Sequence, residues 1–206
     1  QAQRVAKETG AIHHVIYVNE LDNEEMLNNP ENRCYLCKKY LFQNLLAFAA
    51  EKGIDTIMEG NNADDLHVYR PGTKAVKELG VLSPLAELGI TKAQVREIAA
   101  DMGLSCASRP SSPCLATRLP YGTPISFELL ERVDAGEQWM KEQGFPIVRL
   151  RVHGDILRIE IEKERFADFI AMSDQITAKM KELGFAYITL DAEGFRSGSM
   201  DVHIVK

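Results

Sequence analysis

The chain has 206 residues, of which 45% are hydrophobic and 26% charged, and its net charge at pH 7 is −6. This composition is typical of a globular protein, and no apolar run approaches the roughly 20 residues that a membrane-spanning helix needs. An acidic chain is a poor partner for nucleic acid, because binding to a phosphate backbone depends on a basic face. We therefore expect a cytoplasmic protein that binds neither membranes nor nucleic acid.

The first half of the chain predicts an α/β fold. Residues 1–10 are typical of the end of a helix, and because the first residue is not methionine we expect the true N-terminus further upstream. The β-branched and aromatic residues 11–18 predict a buried strand, and residues 56–60 predict a second one. Helices are predicted at 35–52 and after the capping box that begins at Thr91. Alternating strands and helices indicate βαβ units around a mainly parallel sheet.

The composition changes at residues 105–124, which carry four prolines and many serines and are predicted to be loop. We place the domain boundary near residue 124. The sequence then predicts an N-terminally incomplete α/β domain over residues 1–124. It predicts a smaller α/β domain over residues 125–206, which we expect to take part in substrate binding and self-association.

The smaller domain has clear local signals. Ser126 is the expected N-cap of a helix at 126–143, and two alternating strands follow that meet at a hairpin turn, Gly154-Asp155. A helix at about 163–183 and a strand at 185–190 complete a βαββαβ-like arrangement.

Four cysteines in a chain of this kind favour metal binding or catalysis over a disulfide framework, which is typical of short secreted proteins. Cys34 and Cys37 are three positions apart, so in a helix they share one face. The positive end of the helix dipole favours the thiolates that a metal requires. Cys114, in a later loop, offers a third thiolate and leaves one position of a metal centre open.

The cysteine pattern leaves several interpretations open. Cys37 is also compatible with a small buried apolar residue, and Cys114 with a loop cysteine that has no role. Cys106 follows a predicted helix end and is expected to stand apart. If it joins the other three, a closed structural zinc site results. Three cysteines with an open iron instead suit a [4Fe–4S] cluster, and composition does not decide between the two.

A loop rich in Asn and Asp, residues 60–65, is predicted at the carboxyl end of the second strand, where ligands bind in open α/β sheets. Gly60 would let the backbone approach a ligand, and Asp64 and Asp65 could hold Mg²⁺, which prefers oxygen ligands. The same composition also occurs in ordinary solvated turns. No Walker-type glycine loop occurs in the sequence, so if ATP is used we expect its phosphate cradle upstream of Gln1.

The two strands of the second domain predict a polar sheet face. Strict alternation places apolar residues on one side and charged or polar residues on the other. The polar side carries Arg149, Arg151, His153, Arg158 and Glu160. Two arginines on one strand face make a natural clamp for a phosphate or carboxylate, although a solvated sheet face fits the same pattern. Arg196 lies between two glycines on a predicted ligand loop. Glu137, Glu160 and Asp168 could serve a cation, but each is typical of a solvated surface charge.

Several segments together resemble one family. They run through the chain in order, at residues 59–65, 69–72, 83–85, 114–122, 149–153 and 194–198. They are similar to motifs of LarE-type proteins, ATP-dependent sulfur transferases of the PP-loop ATP-pyrophosphatase superfamily that build the nickel-pincer cofactor of lactate racemase. The segments CLATRLPYG, which begins at Cys114, and GFRSG, which begins at Gly194, are the most specific. The resemblance implies a Rossmann-like PP-loop domain with a parallel sheet, followed by the small α/β domain.

The resemblance also implies a reaction. Such enzymes adenylate a carboxylate of pyridinium-3,5-dicarboxylate mononucleotide with ATP and Mg²⁺, release pyrophosphate, and replace oxygen with sulfur. In one branch of the family the cysteine that matches Cys114 gives up its own sulfur. In another branch three cysteines hold a [4Fe–4S] cluster that carries an exogenous sulfide. Because cysteines occupy all three positions, Cys34, Cys37 and Cys114, this chain resembles the cluster branch.

Residue roles follow from the resemblance. The metal ligands and catalytic residues would be Cys34, Cys37 and Cys114, with Cys114 nearest the substrate. The nucleotide would be held by Gly60, Asn61 and Asp64. The anionic substrate would be bound by Arg118, Arg149, Arg151, Glu160 and Arg196. The implied partners are the pyridinium mononucleotide, ATP, a sulfide donor and further copies of the chain, in a homo-oligomer built from dimers, up to a hexamer.

One motif of the family is missing from the sequence. The SGGxDS loop that holds the pyrophosphate of ATP does not occur. Either it lies upstream of these residues, as we expect, or the chain does not hydrolyse ATP by itself. Two alternative functions stay open. The first is tRNA thiolation, known among related PP-loop proteins with three cysteines, against which the acidic charge weighs. The second is a non-catalytic binding module stabilised by zinc.

Overall fold

A computed structural model describes residues 2–68, 70–109, 113–196 and 198–200. The chain divides into two compact units. One comprises Gln1–Met26 and Glu31–Ser112, and the other comprises Leu27–Pro30 and Pro113–Lys206. Helices and strands both occur, which confirms the predicted α/β class. In the part of the chain so described, no helix has the length and apolar character required to span a membrane.

The first unit is mainly helical. Its helices are α1 (Ala2–Thr9), α2 (Arg33–Glu51), α3 (Gly72–Glu78), α4 (Pro84–Glu87) and α5 (Lys92–Asp101), and its 3-10 turns are Glu20–Asp22, Glu24–Met26 and Ala63–His67. A small core of Phe42, Val76 and Val81 packs α2 against α3 and the chain that follows it. The predicted capping box is confirmed, since Thr91 and Gln94 each accept a backbone hydrogen bond from the other.

The parallel sheet predicted for the first unit is represented, among the described residues, by one parallel bridge between Met58 and Leu82. The prediction of a buried strand at residues 11–18 is wrong. That segment forms no strand, and Ile12 and Tyr17 are 87% and 97% exposed. β-branched residues favour an extended backbone, but a strand forms only where a neighbour supplies the ladder of hydrogen bonds.

Among its described residues, the second unit contains a three-stranded sheet that helices cover on one face. Its elements are α6 (Phe127–Glu142), β1 (Val148–His153), β2 (Ile156–Ile161), α7 (Phe166–Ala171), α8 (Ser173–Glu182) and β3 (Tyr187–Leu190), with 3-10 turns at Leu115–Arg118 and Lys163–Arg165. The strand order is β1-β2-β3, with β1 antiparallel to β2 and β2 parallel to β3. The helix predicted at 163–183 is interrupted at Met172, between α7 and α8.

Local sequence explains how these elements begin and turn. The Ser126 hydroxyl accepts a hydrogen bond from the Leu129 amide and caps α6, as predicted. Gly154 adopts a φ of 60°, which allows the tight turn between β1 and β2. Gly136 lies where α6 crosses β1, and a Cβ there would be only 2.5 Å from Cδ1 of Leu150. Because glycine has no Cβ, α6 can approach β1 closely at this position.

The two faces of the sheet differ as the alternation predicts. The apolar face is fully buried against the helices and includes Val148, Leu150, Leu157, Ile159 and Ile161. The register pairs Arg149 with Glu160 and Arg151 with Arg158 on the opposite face. The opposite face therefore carries charged side chains. We call this surface, formed by Arg149, Arg151, Arg158 and Glu160, the arginine face.

Candidate functional site

The cysteine pair lies at the start of α2. Cys34 is exposed and Cys37 half-buried, one turn apart on the helix. Gly72, the first residue of α3, approaches this turn closely. A Cβ at Gly72 would be 3.1 Å from the Cys34 carbonyl oxygen and 2.9 Å from Cδ of Lys38. The glycine of the 69–72 segment thus allows α3 to pack directly against the cysteine turn.

The Glu59 carboxylate links its own segment, residues 59–65, to α2 and to the segment 83–85. Glu59 accepts a hydrogen bond from Lys38 Nζ at 2.8 Å and from the Ser83 hydroxyl at 2.7 Å. The side chain of Glu59 is only 9% exposed, so both interactions are shielded from water. The first residues of the 59–65 and 83–85 segments therefore meet beside the cysteine pair.

The carboxylates of the Asn/Asp loop are used within the protein. Asp64 accepts the Lys92 backbone amide at 2.8 Å, which caps α5. Asp65 binds Arg70 at 2.8 Å and accepts the Asn62 backbone amide. These three interactions explain why the loop has acidic residues at positions 64 and 65.

Asn61 and Gly60 lie in the same loop and differ in their surroundings. Asn61 is buried at 8% exposure. Gly60 has open space where a Cβ would be, with no atom within 4 Å. The nucleotide-binding role of Gly60, Asn61 and Asp64 stays a prediction.

Cys114 occupies a tightly bonded turn of the second unit, which we call the Cys114 turn (residues 113–118). The residue is exposed and precedes the 3-10 turn Leu115–Arg118. Its carbonyl oxygen accepts the Thr117 backbone amide at 3.1 Å, the Thr117 hydroxyl at 2.7 Å and Arg118 Nη1 at 3.2 Å. The backbone of the exposed cysteine is thereby fixed by two residues of its own motif.

Arg118 forms a buried ion pair with Glu137. The pair is bidentate, with Nε–Oε1 at 2.7 Å and Nη2–Oε2 at 2.8 Å, and both side chains are 2% exposed. Glu137 Oε1 also accepts the Leu150 backbone amide at 3.1 Å, which ties the pair to β1. The expectation that Glu137 and Glu160 are solvated surface charges is therefore wrong, since both are buried. The contact of Arg118 with substrate stays a prediction.

Arg151 forms a second buried pair, with Glu160. Its Nε and Nη2 donate to Glu160 Oε2 at 3.1 and 3.0 Å, and Nη1 donates to the Thr117 carbonyl at 2.8 Å. The second oxygen of Glu160 accepts the Ser199 hydroxyl at 2.6 Å. Arg151 is 5% exposed and Glu160 is fully buried. This pair therefore joins the sheet to the Cys114 turn and to the loop that follows β3.

Asp191 gathers two further arginines at the end of β3. Its Oδ2 lies 3.1 Å from Arg158 Nη1 and 3.2 Å from Arg196 Nη1. Arg196 also binds Glu193 at 2.5 Å. Arg196 remains about one-third exposed, so it keeps part of its surface for a ligand.

Arg149 differs from these arginines. In the described chain it has no carboxylate within ion-pair distance, and it donates only to its neighbour, the Val148 carbonyl, at 2.7 Å. Its guanidinium carbon lies 5.2 Å from the ring centre of Phe195. Burial, together with the nearby charges of Arg118 and Arg151, lowers the pKa of Arg149. A half-buried cation without a partnered carboxylate is a favourable place for an anion.

His153 ends the row of polar residues on β1. Its Nε2 is buried and has no hydrogen-bond partner among the described residues. Burial and the charges of Arg158 and Arg151 lower the pKa of His153, against a smaller opposite effect of Glu160. The imidazole therefore favours its neutral form beside the arginines.

The metal-binding prediction concerns both units. Cys34 and Cys37 belong to the first unit and Cys114 to the second. Within the described ranges, no group of three or more His, Cys, Asp or Glu side chains is arranged to hold a metal ion. The three-cysteine centre stays a prediction.

Sequence reasoning missed several residues that shape the site. Asn29, fully buried, donates to the carbonyls of Leu119 and Pro120 at 3.1 and 2.9 Å, which fixes the chain just after the Cys114 turn. Ser199 and Phe195 also went unassigned. Phe195 lies within the GFRSG segment, which could have drawn attention to it, whereas Asn29 lies about 90 residues from its partners and gives no local signal.

Known proteins are similar to this chain over most or all of its length. No protein-family model matches the chain. The chain is 39% identical to an uncharacterized protein of Synechocystis, over all of this chain and 77% of that protein. It is 35% identical to the pyridinium-3,5-bisthiocarboxylic acid mononucleotide synthase of Lactiplantibacillus plantarum, over all of this chain and 75% of that enzyme. An uncharacterized protein of Methanocaldococcus jannaschii is 31% identical over 84% of this chain and 68% of its own length.

Proposed function

Because this chain belongs to the LarE family of sulfur transferases, we propose that it converts a carboxylate of a pyridinium dicarboxylate mononucleotide into a thiocarboxylate. The reaction would serve the synthesis of a nickel-pincer cofactor. The observation that carries this proposal is the similarity, over the whole chain, to an enzyme named for the bisthiocarboxylic acid product. The exposed thiol of Cys114 and the half-buried Arg149 support it.

The proposed reaction has two steps. A carboxylate oxygen of the substrate attacks the α-phosphorus of ATP, pyrophosphate leaves, and the carboxyl carbon becomes an acyl adenylate. A sulfur nucleophile then attacks that carbon, and AMP leaves with the activated oxygen. Adenylation is needed because a free carboxylate has no adequate leaving group. Gly60, Asn61 and Asp64 are proposed to contribute to the nucleotide site, and Mg²⁺ would accompany ATP.

The arginine face is proposed to bind the anionic substrate. Arg149 is the best candidate, because its charge is half-buried and no carboxylate in the described chain lies within ion-pair distance of it. Arg196, shared between Asp191 and Glu193, is a second candidate because it is partly exposed. Arg118, Arg151 and Glu160 are buried, and their proposed contribution is to support this surface.

The donor set fits an iron–sulfur cluster in its chemistry. Cys34 and Cys114 are exposed and Cys37 is half-buried, so thiols are accessible in both units. A [4Fe–4S] cluster held by these three cysteines would keep one iron open and supply a binding position for hydrosulfide. What the chain itself contributes is the cysteine turn supported by Gly72 and the Cys114 turn supported by Arg118.

The test is an anaerobic metal and activity assay of the full chain. Protein purified and reconstituted without oxygen is analysed for iron, zinc and sulfide per chain, with visible and EPR spectra. Thiocarboxylate formation from the pyridinium mononucleotide, ATP and sulfide is followed by mass spectrometry. We expect about four irons per chain, as a cubane cluster requires, and loss of that iron in Cys34→Ser and Cys114→Ser.

Cys106→Ser is the matched control, because Cys106 is half-buried and is not a proposed ligand. Its iron content and activity should equal those of the wild type. One zinc per chain without iron or sulfide would overturn the cluster and favour the zinc-stabilised module. Salt-sensitive binding of tRNA, with no thiocarboxylate formed, would favour tRNA thiolation instead.

We also propose that the chain assembles with further copies of itself, in units built from dimers. Light scattering of the purified protein measures this directly. A monomer at all concentrations would contradict the proposal.

A further inference from the structure

We infer that Arg118 is a positioning residue that fixes the backbone of Cys114, held by Glu137, and that it does not bind the substrate anion. The inference rests on the proposed function of Cys114. Arg118, in the CLATRLPYG segment, would thus act on its neighbour Cys114 and not on the substrate.

The hydrogen bonds of Arg118 are all made within the protein. Its Nε and Nη2 are taken by the two oxygens of Glu137. Its Nη1 faces three acceptors, the Pro113 carbonyl at 3.3 Å, the Cys114 carbonyl at 3.2 Å and the Thr117 hydroxyl at 2.8 Å. Every nitrogen of the guanidinium is thus engaged within the protein. With only 2% of the side chain exposed, little surface is left for an anion.

The partner of Arg118, Glu137, is also buried and is held by two secondary-structure elements. Glu137 lies on α6 and is itself 2% exposed, and its Oε1 also accepts the Leu150 amide of β1. A buried carboxylate on two rigid elements fixes the guanidinium plane, because a bidentate pair allows one relative orientation. Arg118 therefore transmits the position of α6 and β1 to the carbonyl of Cys114.

A second buried pair restrains the same turn from the other side. Arg151, bound to Glu160, donates Nη1 to the Thr117 carbonyl at 2.8 Å. Thr117 in turn donates both its amide and its hydroxyl to the Cys114 carbonyl. An exposed loop cysteine would ordinarily be mobile, whereas here two buried ion pairs fix its backbone. Such fixation matters for a nucleophile or ligand, because small displacements of a reacting group lower the rate strongly.

The experiment separates positioning from simple stability. Changing Arg118 alone leaves Glu137 as an unpaired buried charge, which destabilises a fold for trivial reasons. The double variant Arg118→Met/Glu137→Gln removes both charges, and the glutamine oxygen can still accept the Leu150 amide. Glu137→Asp, which retains the charge but shortens the reach to Arg118, is the second variant.

Two readouts are measured on the full chain. Hydrogen exchange reports on the peptide that contains residues 113–119, and steady-state kinetics give kcat and KM for the pyridinium mononucleotide. In the double variant we expect about a tenfold or greater loss of protection in that peptide, while α6 and β1 keep theirs. We expect kcat to fall by about tenfold or more with KM within about twofold, because a misplaced group affects the reacting step. Glu137→Asp should give a smaller change of the same kind.

The kinetic pattern that would overturn the inference is a large rise in KM with kcat unchanged, since Arg118 would then bind the substrate directly. Unchanged exchange at residues 113–119 in a folded double variant would also overturn it. Hydrogen exchange does not depend on catalysis. If the wild type forms no thiocarboxylate, the proposed function fails while the exchange result still tests the role of Arg118.

Discussion

The ring of Phe195 lies against the guanidinium of Arg149, with 5.2 Å between the ring centre and the guanidinium carbon. The backbone explains this contact. Gly194 adopts a φ of 71°, and the Phe195 amide donates to the Ile161 carbonyl at 2.7 Å, which anchors the loop to the end of β2. A Cβ at Gly194 would be 3.0 Å from that carbonyl oxygen. The GFRSG segment therefore presents an aromatic face to an arginine that lacks a carboxylate partner in the described chain.

The first prediction concerns Phe195→Leu. The leucine stays apolar but loses the π face that stabilises a partly desolvated cation, an interaction of about 1 kcal/mol. We expect KM for the pyridinium mononucleotide to rise by about fivefold, the equivalent of that energy, with a smaller change in kcat. Steady-state kinetics measure both constants.

Phe185→Leu provides the control for this variant. Phe185 packs against Arg132, at 4.7 Å, and so forms a comparable pair in the same unit. The variant should melt at a lower temperature, because Phe185 is buried, yet leave KM unchanged. Equal effects of the two substitutions on KM would rule out a specific role for Phe195.

The second prediction concerns Gly136→Ala. Alanine in a helix interior is normally more stable than glycine by roughly 0.8–1 kcal/mol. Here the new Cβ would lie 2.5 Å from Cδ1 of Leu150 and 3.3 Å from the Met180 sulfur. We therefore expect the free energy of unfolding to fall by about 1–3 kcal/mol, as in other overpacked cores. Urea denaturation measures it. Asp134→Ala, on the exposed side of α6, should change it by less than about 0.5 kcal/mol, and a more stable Gly136→Ala would contradict the packing argument.

Local signals in the sequence predicted local structure well. Ser126 as a cap, the Thr91–Gln94 capping box and the turn at Gly154 each depend on residues within four positions of one another. The alternation in β1 also predicted which side chains share a face. Each of these features is set by backbone geometry near the residue itself.

Partners far apart in the sequence could not be predicted in this way. Alternation placed Arg151 on a charged sheet face, and the family resemblance assigned Arg118 to substrate binding. Neither indicated the particular carboxylates that pair with these arginines. Glu137 is separated from Arg118 by 19 positions and reaches it only because α6 packs on β1. The strand predicted at 11–18 failed for a related reason, since extended residues need a neighbouring strand that the sequence does not specify.

The third prediction concerns Gly72→Ala. A methyl group there would press on the Cys34 carbonyl at 3.1 Å and on Lys38 Cδ at 2.9 Å. The lysine side chain can move aside, whereas the carbonyl belongs to the helix that carries the cysteine pair. We expect the iron content of reconstituted protein to fall at least about twofold and the protein to remain folded by circular dichroism.

Gly60→Ala is its control, because open space surrounds Gly60 and a methyl group there contacts nothing. Iron content should equal that of the wild type in this variant. Wild-type iron in Gly72→Ala would mean that the close approach of α3 has no influence on the cysteine pair.

The last prediction concerns pH and His153. Burial and two nearby arginines, Arg158 and Arg151, lower the pKa of His153 in the folded protein. Below the usual histidine pKa of about 6.5, the unfolded state therefore binds more protons than the folded state. The stability that neutral His153 allows is present above that pH and declines as the pH falls toward the lowered pKa. His153→Gln removes this titration.

The measurement is the melting temperature of wild type and His153→Gln between pH 5 and 8, values that bracket the titration at about 6.5. We expect the wild type to lose more stability than the variant on acidification, and the two curves to run parallel at higher pH. His13→Gln changes an exposed histidine and should reproduce the wild-type curve. A steeper acid loss in His153→Gln than in the wild type would show that protonation of His153 stabilises the fold. That result would contradict the expectation that Arg158 and Arg151 disfavour the protonated imidazole.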